Sequence, residues 1–347
     1  MPKIGIVGNF SFNKEAKGGQ TIRTRIVSED LIRRFGEEEV LCIDTDGWKK
    51  NRLKLLWNCI KISILCKNII ILPAHNGIRI FIPLFIILKF LFNKRLHYIV
   101  VGGWLADDLK KNKFLLNFSR KIDYVYVQTN TLRKKLKDMS ISKNIFILPN
   151  FKLDEPLKHN KLITELSIPS KVCMVSRVNQ EKGVEDAIEI VKRINKSSGR
   201  VKVILDIYGP IENEYEERFY SVIHEHTDCI SYKGSINYNE IINVLSKYYL
   251  LLFPTKYYTE GFPGTIIDGL LAGVPVVASR WESYDDIIKD GVTGITYEFG
   301  DNNDFYSKLD YLLNNPKVVE SMKKESLNEA KKYTADYAME NLINKLK

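Results

Sequence analysis

Short apolar runs alternate along this chain with stretches whose apolar positions recur every three or four residues. In the first half the runs fall near Lys3–Gly8, Val40–Ile43, Ile69–Leu72, Tyr98–Val101, Tyr124–Gln128 and Ile145–Leu148. In the second half they fall near Lys171–Ser176, Val201–Tyr208, Ile230–Lys233, Leu250–Pro254, Val276–Ser279 and Ile295–Tyr297. Runs of this length, rich in Val, Ile and Tyr, predict strands. The segments between them, such as VEDAIEIVKRIN and NEIINVLSKYY, predict amphipathic helices. Strand–helix alternation implies parallel sheets covered by helices, so the predicted fold class is α/β, with two Rossmann-like doubly wound domains.

The pattern lapses between Asn150 and Ser170, which include Pro156 and Pro169. The reading is therefore an N-terminal domain over 1–155, a linker over 156–169 and a C-terminal domain over 170–333. A last helix over 334–347 is expected to pack back on the N-terminal domain. Two such domains would face each other across a central cleft at the carboxyl ends of their strands, where ligands bind in this class. A chain of 347 residues is long for one core and comfortable for two. No repeat is visible beyond this doubling.

The beginning, MPKIGIVGNF, reads as a strand and a glycine turn, not as a signal peptide. Five cysteines lie scattered without CxxC spacing, which suits reduced thiols and a cytoplasmic setting. Ile78–Phe92 is strongly apolar but short for a membrane span, and Arg79, Pro83 and Lys89 interrupt it. It predicts a buried or interfacial helix.

Charge separates the halves. Residues 1–150 hold 27 Lys+Arg against 12 Asp+Glu, and the remainder hold 25 against 30. The basic half could attract anionic lipid, a phosphate-bearing substrate or nucleic acid.

Three segments carry candidate chemistry. In TKYYTEGFPGTIIDGLLAGVPVVAS, Glu260 precedes Gly261, Phe262, Pro263 and Gly264, and Asp268 follows eight positions after Glu260. Pro263 suits a first helical position, which would leave the N–H groups of Gly264 and Thr265 open with the helix dipole behind them. Two carboxylates flanking such a donor-rich start suit a ligand both polyhydroxylated and anionic, such as a nucleotide sugar. In MVSRVNQEKGV, Arg177 and Lys182 follow a strand end, where a fork and a point charge can clamp a diphosphate. In FNKEAKGGQTIRTRIVSEDLI, Gly18 and Gly19 can bring backbone N–H groups against a phosphate.

Together these segments resemble the retaining GT-B glycosyltransferases of family four, the glycosyl transferases group 1, along essentially the whole chain. SRVNQEKGV resembles the family's phosphate-binding segment, and EGFPGTIIDGLLAGVPVVAS its paired-acid E-x7-E signature. YKGSIN, a helix and LLFPT match the part that approaches the nucleobase. The resemblance implies that Arg177 and Lys182 bind the donor diphosphate and that Glu260 contacts the transferred sugar. It implies that the backbone from Gly261 and Phe262 to Thr265 holds hydroxyls and phosphate, and that Asp268 takes the ribose diol. Ser235 and Ile236 would lie near the base and Gly19 near the diphosphate. This chain departs from the family in carrying Asp268 for Glu, and Gly102 and Gly103 where many members carry a histidine.

His75, Trp104 and Asp107 are the acceptor-side candidates. The implied reaction is a metal-independent, retaining hexosyl transfer from a UDP-linked sugar to a lipid-linked saccharide, without any cofactor. It would serve bacterial cell-surface polysaccharide synthesis, with the enzyme peripheral on the inner face of the plasma membrane. Asp44–Asp46, DTD, imitates a metal-binding DxD but reads as turn chemistry. His224 and His226 point to opposite sides of a helix, without a cysteine pair, so no metal site is expected. Two alternatives are a nucleotide-sugar epimerase of the same architecture and a basic nucleic-acid-binding protein. Scarce histidines disfavour the first, and basic residues not interleaved with aromatics disfavour the second.

Overall fold

The computed structural model describes residues 3–12, 18–141, 143–159, 162, 165, 167–224 and 228–347. The chain divides into two compact units: Met1–Leu153 with Ala335–Lys347, and Asp154–Thr334.

Unit one runs β1 (Ile4–Gly8), α1 (Gly19–Phe35), β2 (Val40–Asp44), α2 (Arg52–Leu65), β3 (Asn68–Leu72), α3 (Ile78–Phe92) and β4 (Arg95–Ile99). It continues through α4 (Leu105–Lys111), α5 (Lys113–Ser119), β5 (Tyr124–Val127), α6 (Asn130–Asp138) and β6 (Ile145–Ile147). Its six strands are all parallel, in the order β2-β1-β3-β4-β5-β6. β1 and β3 are buried at every residue, as a central strand covered on both faces requires. β4 begins at Arg95 and ends at Ile99, earlier than the run Tyr98–Val101 predicts. Leu96 N–H donates to Asp123 at 2.8 Å and pins the strand's start.

Unit two runs β7 (Ser170–Val175), α7 (Val184–Ser198), β8 (Val203–Tyr208), α8 (Glu216–His224), β9 (Ile230–Tyr232), α9 (Ile241–Leu245) and β10 (Leu250–Phe253). Then come α10 (Gly264–Leu271), β11 (Val276–Ser279), β12 (Gly294–Tyr297), α11 (Asn302–Asn314) and α12 (Pro316–Ala330). Its parallel order is β12-β11-β10-β7-β8-β9. The order reverses between β7 and β10, so the crevice beyond their carboxyl ends is where such a sheet takes a ligand. Residues expected to form a linker join this unit instead: Leu157 N–H donates to the Leu271 carbonyl at 2.8 Å.

The final helix, α13 (Ala335–Leu346), belongs to unit one. Ala338, Met339, Leu342 and Leu346 pack in one core with Ile4, Ile6, Ile70 and Leu31. Arg34 pairs with Asp336. A buried polar chain fixes the helix end: Asn68 Nδ2 donates to the Leu346 carbonyl at 3.1 Å. Asn68 Oδ1 lies 3.3 Å from His97 Nε2, and His97 Nδ1 lies 3.1 Å from the Tyr126 hydroxyl.

Burial, helped by nearby Arg95, pushes the His97 imidazole down to about 3. The unfolded chain, with its histidine near 6.5, therefore takes up a proton that the folded chain refuses. His97 should cost no stability above about pH 6.5, and then up to about 1.4 kcal/mol for each pH unit of acidification toward 3. Urea midpoints at pH 7 and pH 5 check this. A His97→Gln variant should lose less between those values than the wild type, and an identical loss would move the acid-labile group elsewhere.

Candidate active site

The site in unit two is assembled from the strand ends at the reversal point. After β7 the chain turns through Ser176 and Arg177. A Cβ at Gly209, whose φ is +126°, would sit 1.7 Å from the Ser176 carbonyl oxygen. Only glycine lets the ends of β7 and β8 approach so closely. Asn179 then accepts from Lys182 N–H at 3.0 Å and folds residues 180–182 into a single tight turn. Gly183, at φ +72°, ends that turn; a Cβ there would lie 1.9 Å from the Pro254 carbonyl oxygen. The Lys182 turn is thus pressed against the carboxyl end of β10, and Lys256 N–H donates to the Glu181 carbonyl at 2.8 Å.

This packing sets Lys182 Nζ on Glu260 Oε2 in an ion pair, each side chain 16% exposed. The Thr255 hydroxyl donates to the same oxygen at 3.3 Å. The loop under Glu260 is held in turn: Glu260 N–H bonds the Tyr257 carbonyl at 3.0 Å, and Ser279 Oγ donates to the Thr255 carbonyl at 2.7 Å. Phe262 is buried, its ring 5.7 Å from that of Tyr333. It anchors the loop between Glu260 and α10, in which Gly261 and Gly264 carry no side chain.

The acidic loop leads into α10, and here the structure corrects the sequence reading. Pro263 is the residue before the helix, at φ −66° and ψ 122°, and Gly264 is its first residue. The ring's fixed φ suits either place, but its ψ is extended. The consequence for chemistry is unchanged, since the first N–H groups of a helix have no intrahelical acceptor. Thr265 Oγ1 donates to the Val175 carbonyl at 3.1 Å and ties the helix start to the end of β7. Donor N–H groups, a cation and a carboxylate therefore collect at the carboxyl ends of β7 and β10.

Arg177 does not join the Lys182–Glu260 pair. It is 65% exposed and lies 3.4 Å from Glu212. Such an exposed pair contributes about 0–1 kcal/mol, so a stronger anion can draw the guanidinium away at little cost. Asp268 stands in the second turn of α10 but is 3% exposed. Its carboxylate is therefore largely covered in this structure. Exposed Ser235 and half-buried Ile236 follow β9.

In unit one, Gly18 precedes α1 and Gly19 opens it, both with clear space where a Cβ would be. His75 Nε2 lies 2.6 Å from Asp108 Oδ2, and the His75 ring meets Trp104 edge-on at 4.6 Å. These groups follow the carboxyl ends of β3 and β4. Asp107, named from sequence, instead faces Lys110 at 3.9 Å. On the first turn of α4, adjacent residues point about 100° apart, and only Asp108 turns toward His75. Gly102 at φ +91° leaves room for Trp104, whose indole Nε1 would lie 2.7 Å from a Cβ there.

Sequence reasoning missed Asn179, Gly183, Thr255 and Gly209, and took Asp107 rather than its neighbour Asp108 as the acceptor-side candidate. Asn179 had a signal, an Asn three residues before the Lys whose N–H it caps. The two glycines had none, because their need arises from strands distant in sequence. Among the described residues no cluster of three metal-ligating side chains occurs, and Asp44 serves its turn by accepting from Phe10, Phe12 and Asp46 N–H groups. His224 ends α8, and His226 lies outside the described residues.

A family model described as glycosyl transferases group 1 matches residues 164–329. Residues 164–329 are thus similar to a group 1 glycosyltransferase domain. An uncharacterised glycosyltransferase of Methanocaldococcus jannaschii is 23% identical over 91% of each chain. CapM of Staphylococcus aureus, a capsular polysaccharide biosynthesis glycosyltransferase, is 25% identical over 51% of this chain and 44% of its own length. Among solved structures, HepE of Anabaena in complex with UDP superposes with a TM-score of 0.75 at 12% identity, covering 99% of both chains. Sucrose-phosphate synthase of Thermosynechococcus elongatus gives 0.75 at 15%, covering 100% of this chain and 98% of its own. At such identities the structural likeness is one of fold, and the fold is GT-B: two α/β units, each with a parallel six-stranded sheet. The residues that match the family model contain the Lys182–Glu260 pair and the start of α10.

Proposed function

We propose that the protein is a retaining glycosyltransferase. It moves a hexose from a UDP-sugar to a lipid-linked saccharide in bacterial cell-surface polysaccharide synthesis, at the inner face of the plasma membrane. The observation that carries this reading is the Lys182–Glu260 pair beside the open start of α10. Support for the donor comes from HepE, whose structure is a complex with UDP. Support for the setting comes from CapM and from a poly(ribitol-phosphate) N-acetylglucosaminyltransferase of S. aureus, 25% identical over 68% of this chain.

In this reading the donor diphosphate takes the N–H groups of Gly264 and Thr265 and draws Lys182 away from Glu260. Arg177 leaves Glu212 to join it. Glu260, released, accepts from a hydroxyl of the transferred sugar. As the bond from the sugar to the diphosphate breaks, its electron pair stays on the leaving phosphate oxygen, where the two cations stabilise it. The acceptor hydroxyl attacks from the same face and gives its proton to that oxygen, so the anomeric configuration is kept. Protein cations do the work a metal would do, and no cofactor is needed. Asp268 accepts from the ribose hydroxyls once the nucleotide seats against α10, with the base near Ser235 and Ile236. Gly18 and Gly19 offer backbone N–H groups to a phosphate. His75, oriented by Asp108, accepts from an acceptor hydroxyl, and Trp104 offers an apolar face to a sugar ring.

A thermal-shift panel of nucleotide sugars tests the donor. At a hundredfold excess over its dissociation constant, the right one should add about 2.7 kcal/mol, or about 5–10 °C for a domain of this size. A UDP-hexose should do this and ADP- and GDP-sugars should not, and Asp268→Ala should remove most of the shift. A panel led by another nucleotide would overturn the UDP assignment, and an inverted anomeric proton coupling in the product would overturn retention.

A further inference from the structure

Helices α2 and α3 each carry two apolar faces. α2 buries Cys59, Ile62 and Ser63 against the sheet. On its other side, Leu53, Leu56, Trp57 and Ile64 are 84%, 42%, 67% and 54% exposed. Their spacing of three, four and seven residues makes one stripe. α3 buries Ile78, Phe81, Ile82, Phe85 and Ile86, while Ile80, Ile87, Phe90 and Leu91 are 42%, 51%, 65% and 70% exposed. Positions 80, 87 and 91 again form a stripe. The helices pack side by side, and Lys94, just past α3, donates to the Ile64 carbonyl at 3.1 Å and joins their ends. Single exposed apolar residues are ordinary on a protein surface; two neighbouring stripes are not.

The charge around them is equally one-sided. Residues 47–106 contain ten Lys+Arg and no Asp or Glu. Lys49, Lys50, Arg52, Lys54, Lys61 and Arg79 are exposed at or on these two helices, and none of the six is in an ion pair among the described residues.

We propose that the outward face of α2 and α3 is a docking surface for an anionic phospholipid bilayer, with Leu53, Trp57 and Ile87 entering the headgroup boundary. Long cationic side chains would reach phosphates from the same depth. This names the surface behind the membrane half of the proposed function and rests on that half alone. Two features select this occupant. A second copy of the chain would bring the same acid-free, basic face against itself, which like charges oppose. A nucleic acid would match the cations but leave both apolar stripes unpaired. α3 lies on the surface and does not cross the bilayer, because its other face is part of the core around β3 and β4. Crossing would strip that core.

Co-sedimentation of the full chain with vesicles tests the proposal. At about 0.1 M salt the protein should pellet with phosphatidylcholine–phosphatidylglycerol vesicles and not with phosphatidylcholine alone, and higher salt should weaken the binding. Trp57→Phe should abolish a blue shift of tryptophan emission seen on vesicle addition. Leu53→Ser/Trp57→Ser/Ile87→Ser should lower vesicle affinity at least tenfold, with circular dichroism and the UDP-sugar thermal shift unchanged. Lys50→Gln/Arg52→Gln/Lys54→Gln should do likewise if the serine variant folds poorly. No pelleting, equal pelleting with both vesicle types, or wild-type affinity in both triple variants would overturn the proposal. So would a dimer that the serine variant splits into monomers. The thermal shift is read on the same samples, so a failed donor assignment appears as a missing shift and leaves the vesicle result standing.

Discussion

Lys182→Ala should lower kcat by about 10²–10³, or ~3–4 kcal/mol in the transition state. Its ammonium is held at the end of β10 by the Asn179 cap and the Gly183 turn, so it is already placed where negative charge would grow on a leaving diphosphate. The Michaelis constant for the donor should change less, since the contact strengthens as the bond breaks. Because Lys182 and Glu260 touch, their single effects should not add. Lys182→Ala leaves the Glu260 carboxylate with the Thr255 hydroxyl, whereas the double alanine variant removes both charges together. The cycle is completed with Glu260→Ala and single-turnover kinetics, with urea midpoints to confirm folding. A kcat within about threefold of wild type in folded Lys182→Ala would remove the lysine from the reaction. Strict additivity would mean that the pair seen here has no bearing on turnover.

The second large effect is expected from a single methyl group. Gly183→Ala puts a Cβ into a left-handed backbone position and within 1.9 Å of the Pro254 carbonyl oxygen. The conformation costs an L-residue about 1–2 kcal/mol, and overpacking against a backbone atom adds about 1–3 more. Unit two should therefore lose about 2–5 kcal/mol. The strain is relieved only by lifting the Lys182 turn from the end of β10, so Lys182 and Glu260 should separate and turnover should fall with stability. Gly300→Ala is the control: Gly300 has a similar φ of +78° with nothing within 4 Å of its Cβ, so it should show the conformational cost alone. Urea midpoints for the two variants separate the terms. Equal midpoints would show that the close approach to Pro254 is not what requires glycine at 183.

The strands were legible because each is a continuous apolar run, as buried parallel strands must be. Val276–Ser279 appears in the structure with the bounds that its residues predict. The acidic loop was legible because its residues are close in sequence: Glu260, two glycines, a proline and the start of α10 are one local event. The chemistry of Arg177 and Lys182 was legible only as residue types. Nothing local says that Lys182 reaches Glu260, 78 residues away, while Arg177 turns to Glu212. That choice is made when β7 and β10 become neighbours at the reversal of strand order, and Gly183 admits the approach.

The same division runs through unit one. The sequence alone determined that residues 47–106 are basic and free of acid, and that Ile78–Phe92 is too apolar for an ordinary surface helix. It could not say which face of that helix the core uses, because nearly every position is apolar and the pattern has no polar side to mark solvent. The sheet decided it, by taking Ile78, Phe81, Ile82 and Phe85 and leaving Ile80, Ile87 and Leu91 outside. It likewise could not choose between Asp107 and Asp108 beside His75, since both follow Trp104 within four residues. The direction of α4 off the end of β4 chose Asp108. Local sequence fixes the element and its chemistry, but which side chains meet is set by packing between segments whose separation along the chain carries no local signal.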